Sequence, residues 1–257
     1  MKQSLRNIIN DGKIAFGTHI SLTESAVTEL LGNVGFDYLW IDMEHTANSL
    51  ERIQNHLIAA KASGTPAVVR VPSNDPVLLK PVLEMGPDGI VFPQINSYEE
   101  ALAVVRNCSY PPAGVRGFGP RRAIRYGLDQ FENYRDTIDE TLIKMVQIEH
   151  INAVKDLDKI LQIEELDIFI LGPCDLASSM GYIGDWDHPD VTAVITEIIH
   201  KIHQAGKHIG VSFGPYSKEI CELWKSRGVD LISLGADTDY LINGAVQTLT
   251  NLKTTFN

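Results

Sequence analysis

At 257 residues, with 44% hydrophobic and 21% charged side chains, the chain has an ordinary globular composition and enough length to bury a sizeable core. A net charge of −11, spread along the sequence, leaves no phosphate-facing basic surface, so no nucleic-acid partner is expected. No apolar run approaches the ~20 residues of a membrane span, Met1 to Asn7 carry no signal core, and Cys108, Cys174 and Cys221 show no paired spacing. The expectations are free thiols, no membrane partner and a cytoplasmic location.

Eight short, mostly continuous apolar runs follow one another: Ile14–Ile20, Asp37–Asp42, Ala67–Val71, Gly89–Phe92, Lys144–Glu149, Asp167–Leu171, His208–Phe213 and Asp230–Leu234. Such runs predict strands covered on both faces. Between them, Leu50–Ala62, Pro76–Glu84, Ala153–Ile163, Val191–Gln204 and Ile220–Arg227 carry apolar residues at helical spacing, and Gly64, Gly86, Gly206 and Gly228 predict helix stops. Eight strand–helix units in about 250 residues predict a single (β/α)8 barrel domain over residues 1–257. The competing doubly wound sheet lacks its fingerprint, since no G-x-G-x-x-G follows the first strand. The stretch from Cys108 to Glu140 exceeds a simple connection and is expected to serve function or an interface.

In such barrels the C-terminal ends of the strands build the site. Asp42, Glu44 and His45 end the second run, Arg70 the third and Gln147 with Glu149 the fifth, while Gln94 follows the fourth and Asp175 the sixth. Taken singly, Asp42 or Asp175 could cap a helix, His45 could be structural and Arg70 an ion-pair partner. Their joint placement on one face points to an enzyme site. Glu149 and Asp175 end consecutive strands, and paired carboxylates with open positions suit Mg²⁺ or Mn²⁺, with Co²⁺ and Zn²⁺ as alternatives. Lys13, Lys144 and Lys207 precede their strands, on the opposite face, so no lysine is placed for Schiff-base chemistry. Gly214-Pro215 and Gly235-Ala236, after the last two runs, read as a phosphate site or as ordinary turns.

Asp42-Met43-Glu44-His45, Val69-Arg70-Val71-Pro72, Tyr110-Pro111-Pro112 with Gly114-Val115-Arg116-Gly117, Gln147-Ile148-Glu149 and Gly172-Pro173-Cys174-Asp175-Leu176 with Ser179-Met180-Gly181 together resemble the HpcH/HpaI family of metal-dependent pyruvate aldolases. The resemblance implies a (β/α)8 barrel with its last helix exchanged between subunits of a trimer of dimers. It implies that Glu149 and Asp175 hold the metal and that Asp42, His45, Arg70 and Glu84 form the catalytic set. Within that set, Arg70 faces the pyruvyl oxygen and His45, paired with a carboxylate at position 84, is the base. Gln147 lines the pocket, and the segment Gly172, Pro173, Cys174 and Asp175 binds the substrate carboxylate.

The implied reaction joins or cleaves a 2-oxo acid and an aldehyde through an enolate. A β-keto acid decarboxylase, or a 2-oxo acid binding protein without turnover, are the alternatives. Glu84 stands where Asp is more usual, and Cys174 where a small Ala or Ser is familiar. Gly119-Pro120-Arg121-Arg122-Ala123 is closer to macrophomate synthase relatives. Arg116, Arg121, Arg122 and Arg125 are read as guides for an anionic aldehyde, as subunit contacts, or as surface ion pairs.

Overall fold

The computed structural model describes residues 4–256. All eight predicted runs form strands: β1 (Ala15–Ile20), β2 (Tyr38–Asp42), β3 (Ala67–Arg70), β4 (Gly89–Phe92), β5 (Ile143–Ile148), β6 (Ile168–Leu171), β7 (His208–Phe213) and β8 (Leu231–Ala236). They pair in parallel and in chain order, and β8 closes onto β1, giving a (β/α)8 barrel. Closure leaves no sheet edge exposed.

Eleven helices accompany the strands: α1 (Leu5–Asn10), α2 (Ser25–Val34), α3 (Leu50–Ser63), α4 (Pro76–Glu84), α5 (Tyr98–Cys108), α6 (Phe131–Thr141), α7 (Ile151–Ile160), α8 (Pro173–Ser179), α9 (Pro189–Gln204), α10 (Lys218–Ser226) and α11 (Asp237–Phe256). Local chemistry sets their ends. Ser49, Asp75, Ser97 and Ser217 each accept a first-turn N–H of the helix that follows, and the four predicted stop glycines all have positive φ. The stretch from Cys108 to Glu140 is less loop-like than its sequence suggests, because Phe131–Thr141 is helical. Its apolar residues Phe131, Tyr134 and Ile138 are too few to show a periodic face amid polar neighbours. Among the described residues, no helix is long and apolar enough to cross a membrane.

The two-residue period of each strand divides the core. Ile41, Val69, Phe92, Ile148 and Leu171 face outward and pack with helical residues such as Ile53, Leu57, Ile195 and Ile198. Tyr38, Trp40, Val68, Met145 and Ile170 face inward, with Leu5, Ile8 and Ile9 of α1 in the same cluster across the floor. Two residues beyond Trp40, Val68 and Met145 come Asp42, Arg70 and Gln147, and Glu149 follows by the same step. Parity alone therefore delivers the polar set to the mouth.

The lumen is tightly filled. The Tyr38 ring crosses it to place its hydroxyl 2.6 Å from Ser233 Oγ, and a Cβ on Gly17 would lie 2.3 Å from Tyr38 Cζ. Gly17→Ala is expected to lose at least ~1–3 kcal/mol of stability through overpacking, measured by chemical denaturation, with Gly17→Ala/Tyr38→Leu recovering part of the loss.

Candidate active site

Asp42, the last residue of β2, is buried, and its carboxylate organises the start of the site. It accepts hydrogen bonds from Arg70 Nε at 2.8 Å and from the N–H groups of Glu44 and His45 at 3.0 and 3.3 Å. Its own carbonyl accepts from Thr46 Oγ1 at 2.5 Å and Asn48 Nδ2 at 3.0 Å. Behind it, Asn48 Oδ1 meets His56 Nε2 at 3.3 Å, and His56 Nδ1 meets Thr28 Oγ1 at 2.6 Å. This chain ties the turn after β2 to α3 and α2. Burial alone would raise the Asp42 pKa, but the Arg70 guanidinium and the two N–H donors bring it below the ordinary value. Asp42 is therefore an anion that holds Arg70.

Arg70 is clamped from two sides, since its Nη1 lies 3.0 Å from Glu44 Oε2 while its guanidinium rests over the Trp40 ring. Glu44 also lies 3.6 Å from His45 Nε2, and the imidazole of His45 is largely exposed at the rim. Burial raises the Glu44 pKa, with Arg70 and His45 opposing that rise and Asp42 and Asp175 adding to it.

On the far side, Glu149 is buried with its Oε1 2.7 Å from the Gln94 N–H and its Oε2 2.5 Å from Gln147 Nε2. Gln94 adopts φ +55° to present that N–H, a left-handed conformation uncommon for a residue with a side chain. Gly172 is required beside it, because a Cβ there would lie 2.9 Å from both Glu149 Cβ and Oε2. Burial, reinforced by the charges of Glu44 and Asp175, pushes the Glu149 pKa up to about 7. Three carboxylates thus share a mouth with one arginine.

Pro173, Cys174 and Asp175 open α8, with Cys174 and Asp175 exposed. Burial and then the neighbouring Asp175 raise the Cys174 pKa, so its thiol stays protonated and unreactive. Among the described residues, no three of His, Cys, Asp and Glu form a ready-made metal cage. A cation here would take two carboxylates from the chain and leave positions open. The donor set fits one: hard oxygens, a carboxylate whose charge lacks compensation, and Gln147 Oε1 buried with no hydrogen-bond partner.

Glu84 is the exception among the expected residues. It ends α4, which runs back to the floor of the barrel, and its Oε1 lies 3.5 Å from the buried Arg116 Nη2. Within one chain it does not reach His45, whose carboxylate neighbour is Glu44. Arg116 is further held by Tyr134 and by the Tyr110 ring, and Arg122 donates to the carbonyls of Leu57 and Met85. Arg125 pairs with Asp129 on the surface. The Gly235 N–H donates to the Gly214 carbonyl at 3.1 Å, so these glycines make a turn rather than present that donor to phosphate. The contributions of Glu44 and Gln94 escape sequence reasoning. Glu44 lies beyond its strand, and Gln94 acts through its backbone.

A family model described as HpcH/HpaI aldolase/citrate lyase matches residues 16–244. The chain belongs to this family. It is 36% identical over 208 residues to a hydroxypyruvate/pyruvate aldolase of Roseobacter denitrificans, covering 81% of each chain. It is 34% identical over 245 residues to a 4-hydroxy-2-oxo-heptane-1,7-dioate aldolase of Shigella sonnei, covering 95% of this chain and 93% of that one. The structure of an HpcH/HpaI aldolase/citrate lyase family protein from Burkholderia cenocepacia superposes with a TM-score of 0.90 at 30% identity, over 97% of this chain and 99% of the other. Macrophomate synthase, at 24% identity, shares the fold with a TM-score of 0.84 over 100% of this chain and 91% of its own.

Asp42→Asn keeps the shape but removes the charge that faces Arg70, so at pH 7 it is expected to destabilise by about 3 kcal/mol or more. Because the folded-state pKa of Asp42 is depressed, its contribution is present above the unfolded value and lost as pH falls through the folded one. Urea denaturation at pH 7 and pH 3 should therefore show the gap between variant and wild type shrinking in acid.

Proposed function

We propose that the chain is a divalent-cation-dependent aldolase that makes or breaks 4-hydroxy-2-oxo acids through the enolate of pyruvate or a related 2-oxo acid. The observation that carries this reading is the charge imbalance of the mouth, where Glu149, Asp175 and Glu44 converge with Arg70 as their neighbouring cation. Glu149 and Asp175 would hold the metal. When bound, it supplies Lewis-acid polarisation of the 2-oxo carbonyl and acidifies C3.

The chain's own residues do the rest. Asp42 and Glu44 occupy Nε and Nη1 of Arg70, fixing the guanidinium plane and leaving Nη2 to meet the oxygen on which charge develops. That orientation is set before substrate arrives, so little reorganisation accompanies the reaction. His45 takes the C3 proton, with Glu44 beside it to favour the imidazolium that forms. The backbone N–H groups of Cys174 and Asp175, in the first turn of α8, have no carbonyl to pair with inside the helix and bind the substrate carboxylate. Gln147 braces Glu149 and lines the pocket.

Exchange of the pyruvate C3 protons with deuterated water, followed by NMR, tests the reading. Wild type is expected to exchange with Mg²⁺ or Mn²⁺ and to lose at least a hundredfold in rate with EDTA. Glu149→Ala should fall comparably, and exchange persisting after complete metal removal would refute the cation-dependent mechanism.

We also propose that the chain assembles through its last helix. In α11 only Asp237 is buried, while Leu241, Ile242, Val246, Leu249 and Leu252 are exposed, as are Phe16 on β1 and Leu30 and Val34 on α2. Exposed apolar residues in such number mark an interaction surface. Light scattering should give an oligomer mass for wild type, and Leu241→Lys/Leu249→Lys should shift it toward the monomer; a monomeric wild type would refute the assembly.

A further inference from the structure

The side of the mouth formed by β7, β8 and β1 carries a polar pair that the mechanism above does not use. On β1, the position of Gly17 faces the Tyr38 ring, and on β7 that of Gly210 faces Ile170 and Leu231. His19 and Ser212, two residues further along each strand, face the lumen by the same parity. Ser212 follows Val211, which pairs with Leu171, so it stands level with Gly172. The His19 ring lies 5.2 Å from the ring of Trp40, the same ring that Arg70 covers. Both His19 and Ser212 are partly open.

Their hydrogen bonds fix where the protons sit. His19 Nδ1 lies 3.1 Å from the Gly235 carbonyl, which can only accept, so Nδ1 carries a hydrogen. The Gly235 carbonyl also accepts from Thr18 Oγ1 at 3.2 Å. Burial, together with the charge of Arg70, favours the neutral imidazole. A neutral ring with its hydrogen on Nδ1 must accept at Nε2, so Ser212 Oγ, 3.0 Å away, donates its hydrogen to His19. Ser212 therefore offers the lumen lone pairs and no hydrogen.

Building on the aldolase reading, we propose that the Ser212–His19 pair is a specificity element that accepts a hydrogen bond from a hydroxyl group of the incoming aldehyde. The preferred substrates are then α-hydroxyaldehydes. An alkyl group in their place leaves the Ser212 oxygen without a donor. A carboxylate sets oxygen against oxygen unless Ser212 turns its hydrogen away from His19, which strips Nε2 of its partner. A site built to bond a hydroxyl discriminates against the analogue that lacks it.

The test uses pyruvate as donor with glycolaldehyde, its near-isostere propanal, and succinic semialdehyde. Wild type is expected to favour glycolaldehyde over propanal in kcat/KM, and Ser212→Ala to reduce that ratio on the order of tenfold, the effect of losing one such bond. Ser212→Thr, which keeps the hydroxyl, should retain the ratio. His19→Leu frees the Ser212 hydrogen and should raise the relative kcat/KM for succinic semialdehyde, a change that a purely structural pair would not produce. If wild type exchanges pyruvate C3 protons and adds aldehydes, yet the glycolaldehyde-to-propanal ratio is the same in Ser212→Ala, this inference is overturned and the aldolase reading stands. If wild type shows neither exchange nor addition, both fall.

Discussion

The ion pair between Asp42 and Arg70 joins the last residues of two neighbouring strands, and the functional mouth is arranged around it. Strand pairing sets Asp42 opposite Arg70, so barrel closure itself brings the charges together. Asp42 then spends its remaining acceptor capacity on the N–H groups of Glu44 and His45, fixing the turn that carries both. A single carboxylate thereby orients the cation and the chain that bears the imidazole. The buried line from Asp42 through Asn48 and His56 to Thr28 extends that restraint into the helical shell.

Opposite this ordered half stands one under electrostatic stress. Glu149 is packed against Gly172, approached by the strained Gln94 backbone and surrounded by other acids. A fold selected for stability alone would have little use for such crowding. The two halves divide the work: one holds a positive group rigidly, and the other keeps negative charge partly uncompensated. A 2-oxo acid, with its adjacent carboxylate and carbonyl oxygens, suits the space between them.

The strands were legible because runs such as Ala67–Val71 and Gly89–Phe92 are rich in β-branched residues and bounded by turns. The polar set was legible for a related reason: Asp42, Arg70 and Gln147 fall where an inward-facing apolar series stops. Glu84 was not placed correctly, since a motif read along the chain does not show that the end of α4 lies on the floor. The role of Gln94 had no side-chain signature at all, because it is carried by a backbone N–H in a left-handed conformation. His19 and Ser212 show why lumen parity matters beyond the acids. Each is the polar member of an inward series that otherwise reads Ala15 and Gly17, or Gly210.

The exposed stripe along α11 has a thermodynamic side. Apolar surface left in water forgoes roughly 25 cal/mol for each Å² that burial would remove. Leu241, Val246, Leu249 and Leu252 hold that free energy in reserve until another surface meets them. Folding of the barrel and association of chains then become linked equilibria, and by mass action the resistance of each molecule to unfolding rises with the number of copies around it.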